Sequence, residues 1–118
     1  MNLEIILRAY IACALWSSTD DNDEPLDANY DDDSIHPASV AKMREDVTDF
    51  VNANKANLEE SRQDDAQIGH DFWLTRNGHG AGFWDRGLGA VGNRLTNACK
   101  PYGGVDLYVG DDNLIHQL

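Results

Sequence analysis

Apolar residues recur along the first part of this chain at spacings of three and four. Leu3, Ile6, Leu7, Tyr10, Ile11, Ala14 and Leu15 make one continuous stripe, the pattern of a helix that turns one side to a core. The spacing predicts a helix over 3–17. Ile5, Ala9, Ala12 and Cys13 widen the stripe, so burial is expected over much of the circumference, with Trp16 closing the core beneath the next segment. From 18 to 34 the period dissolves into Asp, Asn, Ser and Pro, residues of turns and irregular backbone. Leu26 and Tyr30 are the only points there that would pin the chain down.

A second periodic segment opens at His36-Pro37. Ser34 is its expected cap, and Pro37 suits a first turn, where its missing N–H costs nothing. Val40, Met43, Val47, Phe50, Val51 and Leu58 mark the inner face through about residue 60. Asn52, Asn54 and Asn57 are poor helix interiors, so a break is expected near them. The string from His70 to Arg86 then concentrates two tryptophans, two phenylalanines, two histidines and a glycine-rich centre. Asn77-Gly78 is a strong hairpin signal, and Phe72 and Leu74 alternate with Trp73 and Thr75. The expectation is a β-hairpin with arms 72–76 and 83–86. A third helix is read over 88–99. Val105, Leu107 and Val109 alternate with polar positions as a strand, Gly110-Asp111-Asp112-Asn113 turns, and 114–116 returns. The fold class expected is α+β: an antiparallel sheet of about four strands, built from two hairpins, covered by three helices in a single domain over 1–118.

Charge changes the picture most. The chain has 21 acidic and 9 basic residues, a formal net of −12. Between residues 18 and 65 the count is 15 acidic against 4 basic, so a net of −11 falls on one loop and one helix. Such a surface repels nucleic acid and anionic membranes. No direct nucleic-acid contact and no membrane association are therefore expected, and a basic protein or nucleoprotein complex is the natural partner. The N-terminal apolar run carries Glu4 and Arg8, which disqualifies it as a signal peptide or a span. Cys13 and Cys99 form no Cys-x-x-Cys pair, as expected of reduced, buried thiols in a cytoplasmic protein.

Spacing limits the chemistry the polar residues can do. Asp27, Asn29, Asp31 and Asp33 alternate as the first ligands of an EF-hand do, but Asp32 stands where glycine is needed and Ala38 where glutamate is needed. No metal and no cofactor are expected. His70, Asp71, Arg76, His79 and Asp85 together offer an acid–base set, yet no phosphate-binding loop, nucleophile elbow or zinc motif accompanies them. No catalytic residue is assigned. The residues expected to meet a partner are Asp27, Asp31, Asp32, Asp33, Glu45, Asp46 and Asp49 on the acidic side, with Trp73, Arg76 and His79 on the hairpin.

The string Phe-Trp-Leu-Thr-Arg-Asn-Gly-His-Gly-Ala-Gly-Phe-Trp-Asp-Arg over 72–86 resembles one found in small acidic proteins encoded by bacteriophages and prophages. Pro-Leu-Asp-Ala-Asn-Tyr over 25–30 and Val-Asp-Leu-Tyr-Val-Gly-Asp-Asp over 105–112 are similar to other segments of that group. The resemblance carries no catalytic residues with it. It implies an accessory protein made in an infected bacterial cell, a setting that includes anti-CRISPR and anti-restriction proteins and inhibitors of host enzymes, several of which imitate DNA. Three functions follow as expectations: a non-enzymatic inhibitor of a nucleic-acid-handling or defence complex, acting by charge; a small enzyme built on His70, His79 and Arg76; and a regulatory binding protein using exposed aromatics.

Overall fold

A computed structural model describes residues 1–118. Five α-helices carry the fold: α1 (Leu3–Ser17), α2 (Pro37–Ala53), α3 (Lys55–Ser61), α4 (Asp65–Arg76) and α5 (Ala90–Cys99). One small sheet ends the chain, β1 (Leu107–Val109) and β2 (Ile115–Gln117), antiparallel with Tyr108 opposite His116. The expected four-stranded α+β sheet is therefore overturned; the protein is mostly helical with a two-stranded ribbon. That ribbon is held to the body where Ile115 bridges Ile35 in parallel and the His36 N–H donates to the Ile115 carbonyl at 2.8 Å.

The error lies at the aromatic string. Residues 72–76, read as a strand, are the last turn and a half of α4. Ile68, Gly69, Asp71, Phe72, Trp73, Leu74 and Arg76 are all buried. Over 71–76 every residue except the half-buried Thr75 is buried, so this end of the helix shows no outer face, and over five residues its pattern cannot be told from a strand. Asp64 starts it by accepting from the Gln67 N–H at 2.8 Å. The Asn77-Gly78 signal is real but belongs to a helix end. Gly78 takes a φ of 68°, its N–H donates to the Thr75 carbonyl, and the His79 N–H donates to the Leu74 carbonyl. This pair of bonds is a Schellman cap, which needs the same left-handed glycine as a tight hairpin. The second expected arm is a single 3-10 turn, Phe83–Asp85.

Other boundaries moved less. The long second helix divides at Asn54 into α2 and α3, within the asparagine-rich stretch. His36, not Ser34, caps α2, with its ring nitrogen accepting from the Ala38 N–H at 3.1 Å. Ser34 instead closes a short turn over Asp32–Ser34. The core forms where α4 lies against α1, with Phe50 of α2 stacked on Phe72 at 4.2 Å and Tyr10 edge-on to Trp73 at 5.4 Å. Close approach of α1 and α4 depends on Gly69, because a Cβ there would sit 2.2 Å from the Ile6 carbonyl oxygen and 2.8 Å from the Tyr10 nitrogen. No helix is long and apolar enough to cross a membrane.

Candidate functional site

The acidic loop is built by its own side chains. Asp20 accepts from the N–H groups of Asn22 and Glu24, and Leu26, fully buried, anchors the middle. Asp31 caps the next turn by accepting from the Asp33 N–H and the Ser34 hydroxyl. These local bonds hold Asp31, Asp32 and Asp33 together on the outside, with carboxylate oxygens within 4.8 Å of one another. Asp27 is exposed beside them, and none of the four forms an ion pair. Glu45 and Asp49 also face outward. Asp49 accepts from the Tyr102 hydroxyl at 2.5 Å, and burial followed by that bond holds the phenol well above its usual range.

Asp46 stands apart from this surface. It is buried and accepts from Arg76 Nη1 at 2.8 Å and from Lys42 Nζ at 3.0 Å. Arg76 is equally spent. Its remaining donors go to the Tyr10 hydroxyl at 3.1 Å and to the carbonyls of Gly103 and Tyr102, both at 3.0 Å. Its guanidinium also lies 5.5 Å from the Phe72 ring centre. Burial pushes the Tyr10 hydroxyl up to about 12, against the pull of Arg76. Trp73 is buried as well, donating from its indole to Ser17 Oγ at 2.7 Å. Three residues expected to meet a partner, Asp46, Trp73 and Arg76, are thus internal and hold the helices together.

The acid–base set is dispersed in the same way. Asp71 is fully buried and accepts from Gln63, Gln67 and both the Nε and Nη2 of Arg86. That fork ties the turn after Phe83 back to α4. His70 and His79 are exposed and form no hydrogen bond through their rings. They share a groove of about 530 Å³ with Trp16, Leu74, Ala81 and Arg86. Cys13 and Cys99 are free and buried, and burial raises their thiols to about 11 and about 12, which makes them inert rather than nucleophilic.

Sequence reasoning missed the exposed apolar residues. Trp16, read as a core lid, is 63% exposed, and Ile5 is 45% exposed. The signal was available: Ile5, Ala12 and Trp16 share the side of α1 that also carries Arg8. An apolar circumference interrupted by charges at 4 and 8 marks that side as the outer one. Trp84 is also half exposed. The candidate surface is therefore an outward cluster of unpaired carboxylates beside an outward apolar helix face, and no protein-family model, curated protein or solved structure matches the chain that presents it.

Proposed function

We propose that this protein is a non-enzymatic inhibitor, made in a phage-infected or prophage-bearing bacterial cell, that binds a basic host protein or nucleoprotein complex in the cytoplasm. Its target class is nucleic-acid-handling or defence machinery, whose phosphate-binding residues the carboxylates would occupy in the manner of a DNA mimic. The observation that supports this reading is the outward cluster of Asp27, Asp31, Asp32 and Asp33, which forms no ion pair although Arg8 stands across the neighbouring groove. No lysine or arginine occurs anywhere from Asp20 to Ser34. Among the basic residues, Arg76 and Arg86 are engaged with buried aspartates, and Arg44 and Arg94 with Glu4 and Glu60. Charge of one sign, left uncompensated, steers encounter with the opposite sign. The phage setting comes from the resemblance at 72–86.

The experiment is affinity capture from a bacterial lysate with stepped salt elution, run beside a variant in which Asp31, Asp32, Asp33, Glu45 and Asp49 are lysine. A CRISPR, restriction or DNA-processing complex that is held by the native protein, released by salt and lost by the variant is the expected result. Equal retention by both proteins would refute a charge-based mode. The regulatory-protein reading is favoured by one further observation, the exposure of Trp16 and Ile5, and the two modes are compatible on a single surface.

A further inference from the structure

Helix α1 has two apolar sides, and only one of them is used by the fold. Ile6, Tyr10, Cys13 and Ala14 face the core, whereas Ile5, Ala12 and Trp16 face outward. With 3.6 residues per turn and a rise of 1.5 Å per residue, the outward three fall on one line, Ile5 and Trp16 being about 16 Å apart. The exposed Arg8 stands at the edge of that line, on the side of the loop carboxylates. Two grooves flank the line. One, of about 330 Å³, runs between Arg8, Ala12 and Leu15 on the helix and Asp27, Asp31 and Asp32 on the loop. The other, of about 530 Å³, has Trp16 as a wall, with Leu74 and Ala81 opposite and His70, His79 and Arg86 at its polar margin. Apolar anchor points and free carboxylates therefore stand side by side.

We propose that this face seats a cationic amphipathic segment of the partner, a helix with lysine or arginine along one side and apolar anchors about 16 Å apart. The inference rests on the reading that the loop carboxylates meet a basic partner, and it names what that partner must present. Charge selects this occupant. A second copy of the chain would bring its own carboxylates against these, in a protein of net −12. A bare phosphate-binding cleft would satisfy the aspartates and leave Ile5 and Trp16 against nothing apolar. Tryptophan is among the residue types enriched where binding energy concentrates.

The test uses the full chain with two probe peptides of equal positive charge: an 18-residue leucine–lysine amphipathic helix and an oligolysine. Titration calorimetry should show the amphipathic probe binding at least tenfold more tightly. In ¹⁵N–¹H spectra it should move the Trp16 indole resonance. Trp16→Ser and Ile5→Ser, both at exposed positions, should bring its affinity down to that of oligolysine. Trp84→Ser, outside both grooves, should not. Equal affinity for the two probes, with loss of both on reversal of Asp31, Asp32 and Asp33 to lysine, would overturn the apolar half and leave the charge reading standing. Failure of both probes to bind would defeat both readings. An equal loss with Trp84→Ser would show non-specific adhesion and overturn the proposal. So would a dimer in sedimentation that Trp16→Ser returns to monomer, since the occupant would then be a second copy.

Discussion

Aspartate plays opposite parts in two regions of this molecule. Asp46 and Asp71 lie inside, Asp46 accepting from Arg76 Nη1 and Lys42 and Asp71 accepting a fork from Arg86 together with two glutamine amides. Asp31, Asp32 and Asp33 lie outside, the Asp31 carboxylate bonded only within its own turn and the other two to no protein group. The first pair is matched by Arg76, Lys42 and Arg86, whereas the loop from Asp20 to Ser34 contains no lysine or arginine at all. A buried carboxylate must take a cation with it or pay a heavy desolvation cost; an exposed one is solvated and needs none. The interior aspartates are fixed by their cations, and the outer ones are left to solvent.

The sharpest way to break this contrast is Asp46→Ala. It leaves Arg76 buried with one carboxylate fewer, and urea unfolding should show a loss of about 3–5 kcal/mol, as for other broken buried pairs. Asp71→Ala should cost slightly less, about 3 kcal/mol, because the Arg86 side chain is one-third exposed and can turn to water. Gly69→Ala tests the α1–α4 contact between these two networks. Its Cβ would meet main-chain atoms of Ile6 and Tyr10 that no side-chain rotation can clear, and overpacking of this kind costs about 1–3 kcal/mol.

A smaller effect is expected with pH. The Tyr10 hydroxyl titrates at about 12 in the folded protein against 10.0 ordinarily. The folded state then holds a proton that the unfolded state gives up. Its contribution is complete below pH 10 and is lost as pH rises through 12. Thermal melts of native protein should fall across that window, and Tyr10→Phe should reduce the slope while losing about 1 kcal/mol at neutral pH with the bond to Arg76. The smallest effect belongs to the outer region. Asp31, Asp32 and Asp33 changed to asparagine should each move stability by no more than about 0.5 kcal/mol, since asparagine at 31 keeps the cap. A collective rise in melting temperature would register the relief of self-repulsion. A large loss in those melts would show that the outer aspartates are structural after all.

The sequence by itself determined the amphipathic course of α1 and α2, the break in the asparagine-rich stretch, the turning ribbon at 107–117 and the concentration of negative charge before residue 66. Each is a local property, legible from periodicity, turn chemistry or a count. Tertiary structure alone decided the rest. Residues 72–76 are helical because Phe72, Trp73 and Leu74 all find cover at once, so their apolar run has no period to read. Asn77-Gly78 caps a helix instead of turning a hairpin because a left-handed glycine serves both, and the preceding residues choose. Asp46 is inside and Asp49 outside because one lies over Arg76 and the other beside Tyr102, partners 30 and 53 positions away. Trp73 is buried and Trp16 exposed for the same reason. Burial is a property of what the rest of the chain brings into contact, and no residue carries it alone.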